Sequence, residues 1–172
     1  MKTKKQQELI DSLLAKVGDK LAPLYRDIYN CLSDHGYNPH KQRSYIVFKH
    51  DEHNKQIAKT GIRINKDKAP FFALRFSACR GYSKRFDDIV RNLIATEGEH
   101  FMNGGCPNGG CDYCAGKAET HIYICTFPDG TTRSHCGAVA LEIPNITKSD
   151  IPEIKKLIKE EHEYLMKHEA VR

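Results

Sequence analysis

No stretch of this chain approaches the roughly 18 consecutive apolar residues that a membrane-spanning helix needs. The start, Met1 to Glu8, carries lysines but no apolar run behind them, and acids follow at Glu8 and Asp11, so no secretory leader is expected. Nucleotide-binding and hydrolase signatures are missing too: there is no G-x-x-x-x-G-K-[ST] loop, no G-x-S-x-G elbow and no G-x-G-x-x-G after a strand. The stretch Glu161-His162-Glu163-Tyr164-Leu165-Met166-Lys167-His168 superficially resembles a metalloprotease helix. Its histidines are six apart, about 600° of helical rotation, so they diverge and are expected at the surface. No internal repeat, no linker and no block of five like charges divides the 172 residues. These absences predict a cytoplasmic, single-domain protein with no membrane contact, and they argue against an enzyme with a recognisable acid–base–nucleophile set.

Cysteine is abundant. Seven are present, and three of them fall in Cys106-Pro107-Asn108-Gly109-Gly110-Cys111-Asp112-Tyr113-Cys114. In a reducing compartment clustered thiols serve as metal ligands or redox groups more often than as disulfides, and an odd count cannot pair completely. Charge is also uneven. The net value is +5, yet residues 41–91 alone hold 13 Lys/Arg against 5 Asp/Glu. A basic middle suits an acidic or phosphate-bearing partner such as nucleic acid, although solvated outer faces of strands would give the same count.

The apolar periodicity sets the elements. Leu9, Ile10, Leu13, Leu14 and Val17 predict a helix over 5–20, and Leu24, Tyr25, Ile28, Tyr29 and Leu32 a second from Pro23 to Gly36. Asn38-Pro39 reads as a break. Three strands should follow as a meander: residues 44–49, a second through Ile57, Ile62 and Ile64 with a bulge at Gly61, and a third over 69–78. In the third, Phe72, Leu74 and Phe76 share one face and Ala73, Arg75 and Ser77 the other. Ser83 should cap a helix that ends at Gly98. A glycine-rich cysteine loop (99–117) precedes a hairpin of strands 119–127 and 131–143. The last helix should start near Asp150, with Glu153 completing a capping box. The expected architecture is one α+β domain: a helical pair (1–36), a meander plus helix (41–98), then the cysteine loop, hairpin and C-terminal helix (99–172).

Cys106-x4-Cys111-x2-Cys114 offers three thiolates, and tetrahedral zinc takes four ligands. Cys136 is the expected fourth, since a thiolate matches the other three and stands at the hairpin end away from the turn. His121, His135 and Cys125 are the alternatives. The Pro128-Asp129-Gly130 turn favours a three-residue connection that sets Cys125 opposite Arg133 and puts Cys136 on the other face; a two-residue turn would put both cysteines on one face. The spacing also fits a plant-type [2Fe–2S] cluster with a distant fourth cysteine. Four protein ligands leave no open position for water, so a zinc ion here would be structural.

A second candidate site is the corner between the third strand and its helix. Arg75, Arg80, Ser83 and Lys84 could contact an anion at the helix N-terminus. Cys79 in the same corner could be an activated thiol or simply core. Three functions compete: a non-catalytic binding or regulatory module stiffened by zinc, a small-molecule sensor with a pocket between sheet and helices, and a thiol or iron–sulfur redox protein. For the first, Tyr45, Phe48, Phe71, Phe72 and Phe76 interleave with the basic residues as a nucleic-acid-stacking surface requires.

Overall fold

Thr3 starts the first helix by accepting the Gln6 amide N–H while the Gln6 side chain accepts the Thr3 N–H, a reciprocal cap. From it α1 (Lys4–Val17) turns Ile10, Leu13, Leu14 and Val17 inward. Pro23 lies in the first turn of α2 (Ala22–Asp34), where its missing N–H costs nothing, and Tyr25, Ile28, Tyr29 and Leu32 are buried. This computed structural model describes residues 3–64, 68–99 and 117–169.

The sheet is larger than the expected three-stranded meander. It has five antiparallel strands, in the order β1 (Tyr37–Gln42), β2 (Tyr45–His50), β3 (Gln56–Ile62), β4 (Pro70–Leu74) and β7 (Leu141–Glu142). Asn38-Pro39 is therefore strand rather than break. Pro39 pairs with Phe48 in β1, the edge strand, which is where a ladder tolerates a residue without an N–H. The register shift lies at Phe48/Lys49, not at Gly61. Gly61 is needed for closeness instead, since a Cβ there would lie 3.0 Å from the Phe71 ring and 3.2 Å from the Tyr45 Cβ.

Two other strands differ from expectation. β4 ends at Leu74, one further bond to β3 runs from the Arg75 N–H to the Ile57 carbonyl (2.7 Å), and Arg75, Phe76 and Ser77 are buried as a coil. Ala73, Arg75 and Ser77 are therefore buried like Phe72, Leu74 and Phe76, and the two-faced strand expected through residue 78 stops short. The second strand of the hairpin is split. β5 (Tyr123–Thr126) pairs only with β6 (Thr132–His135), then a turn closed by the Val139 N–H on the Cys136 carbonyl (3.2 Å) sends the chain across to β7 beside β4.

Between them runs α3 (Lys84–Glu97), with Ser83 at its N-cap and Gly98, at φ +71°, at its C-cap. The last helix, α4 (Ile151–Glu169), follows a single 3-10 turn, and the reciprocal cap is Thr147 with Asp150, not Asp150 with Glu153. Glu153 instead accepts the Ser83 amide N–H at 2.6 Å.

The described residues form a single α+β domain, a five-stranded antiparallel sheet and the β5–β6 hairpin packed with four α-helices. Tyr29 stacks on Phe48 (5.3 Å between centroids), and its hydroxyl is 2.8 Å from Thr60 Oγ1. Leu157, Ile158 and Leu165 of α4 join the same apolar cluster. Among the described residues no helix is long and apolar enough to cross a membrane.

Candidate functional site

Cys106, Cys111 and Cys114 lie outside the described residues; the hairpin residues proposed to meet them do not. His121 and His135 are fully buried, and Cys125 and Cys136 nearly so. Gly130 is left-handed (φ +82°) and Cys125 stands opposite Arg133, the three-residue register. Tyr123 faces His135 on the side of Cys125, and Cys136 lies just past the end of β6, where it is buried.

His121 has the most distinctive geometry. Its Nδ1–H donates to the Lys117 carbonyl at 2.9 Å, with the Tyr164 hydroxyl 3.1 Å away. That fixes the neutral tautomer and leaves Nε2 as a lone pair, buried and without a hydrogen-bond partner. Burial, reinforced by the Arg75 guanidinium, pushes its pKa down to about 4. Gly137 presses on the same residue: a Cβ there would lie 1.5 Å from the His121 carbonyl oxygen. Hydrogen bonds lock this corner to the coil after β4. Ser77 Oγ donates to the Gly137 carbonyl (2.8 Å), the Phe76 N–H to Tyr123 Oη (3.1 Å), and Tyr123 Oη–H to the Val139 carbonyl (2.8 Å).

Both flanks of the cysteine segment are tied to this hairpin. Glu99 accepts the Ser134 N–H at 3.2 Å, and Lys117 accepts from His121 and from the Thr120 hydroxyl (2.6 Å). Among the described residues alone, no group of three or more His, Cys, Asp or Glu side chains is placed to hold a metal ion.

The four residues of the expected anion corner turn to separate internal partners. Arg75 is buried and its Nε pairs with Glu161 Oε1 at 2.6 Å, while Oε2 of the same carboxylate accepts the Ala78 N–H at 2.9 Å. Arg80 donates to the carbonyls of Ser77, Cys79 and Thr120. The Ser83 N–H is taken by Glu153, and Lys84 pairs with Asp88 at 2.7 Å. Cys79 donates to the Leu157 carbonyl at 3.4 Å, and burial together with Glu161 raises its pKa, so the thiol stays protonated and fills core.

Two features escaped the sequence reading. Glu161 sits on the apolar stripe of α4 with Ile154, Leu157, Ile158 and Leu165, and a carboxylate on a buried stripe is the signal that was there to find. The second is a gathering of His35, His50, His53 and His162 around Tyr37, which no sequence spacing announces. His162 is consequently half-buried rather than a surface histidine.

A cavity of about 720 Å³ lies between α3 and the strands, lined by Lys59, Phe71, Ile89, Leu93 and Leu141 among others. No family model, curated protein or solved structure matches the chain.

Proposed function

We propose that this protein is a non-catalytic binding or regulatory module whose cysteine segment closes a structural zinc site against the β5–β6 hairpin. The observation that carries this reading is the buried, unpartnered Nε2 of His121, beside the residue from which the segment emerges. A lone pair out of water and without a donor costs free energy unless something positive meets it. A histidine whose Nδ1–H is pinned to a carbonyl is also the usual form of a zinc ligand. Cys106, Cys111 and Cys114 would supply the thiolates. His121 takes the fourth place ahead of Cys136, because its Nε2 is a buried lone pair already without a partner. A Cys3His set is closed and leaves zinc no water to activate. A [2Fe–2S] cluster, with Cys136 as fourth ligand, is the competing occupant.

Metal analysis of the purified protein tests this. About one equivalent of zinc is expected, falling sharply in the triple Cys106→Ser, Cys111→Ser, Cys114→Ser variant. A folded, colourless, metal-free preparation overturns it, and a brown one indicates the cluster.

The partner surface follows from the sheet. Phe48, Phe72 and Phe76 are core, which removes them from any stacking role. Tyr45 and Phe71 are half-exposed and flank Gly61 on the face opposite Thr60; Lys59, one residue before Thr60, shares that face. Two aromatic rings among cations suit a phosphate-bearing chain, and salt-dependent retention on heparin or single-stranded oligonucleotide is the measurement. The cavity beside Phe71 supports a second reading, a small-molecule sensor, since its volume is in the range of ligand pockets.

A further inference from the structure

Tyr37 is fully buried, and its hydroxyl has no hydrogen-bond partner. Around its ring stand three imidazoles, edge-on, with centroids at 5.1 Å (His50), 6.0 Å (His53) and 5.7 Å (His162). His50 and His53 stack on each other at 4.2 Å, within 5° of parallel. His162 touches His50 at 5.5 Å and His35 at 5.1 Å. The four histidines come from separate places: the C-cap of α2, the end of β2, the β2–β3 turn and α4.

Their hydrogen bonds fix the protons. His50 Nδ1 accepts the Glu52 N–H at 3.2 Å, and His53 Nδ1 accepts the Lys55 N–H at 3.1 Å. Each ring is thus a backbone cap for the turn that joins β2 to β3, and only a deprotonated Nδ1 can serve. A proton placed there turns an acceptor into a donor aimed at another donor. It also puts cationic rings 4.2 Å apart in the stacked pair. His162 Nδ1 is buried without a partner, so its protonation would add a third charge with nothing to receive it.

We propose that this cluster is an acid-released clasp, which when neutral holds the β2–β3 turn against α2 and α4 and on protonation lets the turn go. The surrounding charges do not remove the effect. Asp34 lies on the α2 side; Asp51, Glu52 and Lys55 belong to the turn; Glu161 and Glu163 flank His162 on α4. Asp51 is engaged by the Asn38 amide at 2.6 Å, and Glu161 by Arg75 and the Ala78 N–H. Glu52 and Glu163 favour a charged His162, but burial outweighs them, followed by His35 and His50, and holds its pKa below the ordinary value. An unfolded histidine titrates near about 6.5. A folded value below that means stability is full above about pH 6.5 and is lost as pH falls toward the folded pKa.

Amide hydrogen exchange on the full chain tests the clasp, with rates corrected for the intrinsic pH dependence. Between about pH 7.5 and 5.5 the protection of the Glu52 and Lys55 amides should drop at least about tenfold, while that of Ile57 in β3 holds. In the His50→Asn, His53→Asn variant the Asn oxygen can accept the same N–H but carries no charge, so protection should persist at both pH values. His40→Gln, on the exposed part of β1, should behave as wild type. Unchanged wild-type protection across this range, or an equal acid loss in the double Asn variant, overturns the proposal.

Discussion

His121 and the His50–His53 pair hold their protons on opposite nitrogens, and both regions lean on α4. Beside His121 the nearest backbone group is a carbonyl, so Nδ1 carries the hydrogen and Nε2 points inward as a lone pair. Beside His50 and His53 it is an amide N–H, so Nδ1 accepts and the hydrogen sits on Nε2. One residue type thus yields two chemistries. The first presents an unpartnered lone pair and, with its pKa near 4, keeps it into mild acid. The second is a neutral cap that a proton disables. The choice is made by a single main-chain neighbour, not by burial, which lowers the pKa of both His121 and His162.

The support common to both regions gives the largest expected effect. Glu161→Ala removes the carboxylate that pairs with the buried Arg75 guanidinium and accepts the Ala78 N–H, and should cost about 3–5 kcal/mol in urea denaturation, degrading both regions together. A loss below about 1 kcal/mol would show that the two do not share this anchor. Next, His121→Phe keeps a ring in place but removes the lone pair. Zinc content should fall sharply in this variant while the acid response of the Glu52 and Lys55 amides is untouched; full zinc with His121→Phe and loss of zinc with Cys136→Ser would instead return the fourth place to Cys136. The smallest effect is expected from Tyr164→Phe, which deletes the hydroxyl lying between Thr120 Oγ1 and His121 Nδ1. About 1 kcal/mol of stability should go, with a change in the His121 ring resonances and none in those of His50.

The helices were legible because each carries its own apolar stripe: Ile10, Leu13 and Leu14 in α1, or Phe86, Val90 and Ile94 in α3. β1 was not, because Asn38-Pro39 is a local turn signal overridden by pairing with β2 along its whole length. Nor was β7, two residues whose identity as a strand rests on Ala73 and Leu74, far away in sequence. The hairpin register was readable from Pro128-Asp129-Gly130, since turn chemistry is local. The candidate site divides the same way. The residues around it were visible as Cys and His, but the tautomer of His121 depends on the Lys117 carbonyl, and that of His50 on the Glu52 amide. Arg75 reads as an anion contact on the strand face opposite Phe72, Leu74 and Phe76, and only the position of Glu161 shows that its partner is internal.

Gly137 sets a limit on how this corner can change over generations. Any other residue would bring its first side-chain carbon to 1.5 Å from the His121 carbonyl oxygen, a contact with rigid backbone rather than with a side chain that could swing aside. Alanine is therefore as inadmissible there as tryptophan, and no compensating replacement at His121 can relieve it, because the obstructing atom belongs to every amino acid. In a library of all single substitutions position 137 should be emptied uniformly, whereas positions 121 and 136 should be filtered by chemistry. The glycine is the site's most constrained neighbour: it offers no side chain to any ligand, yet variation there moves His121.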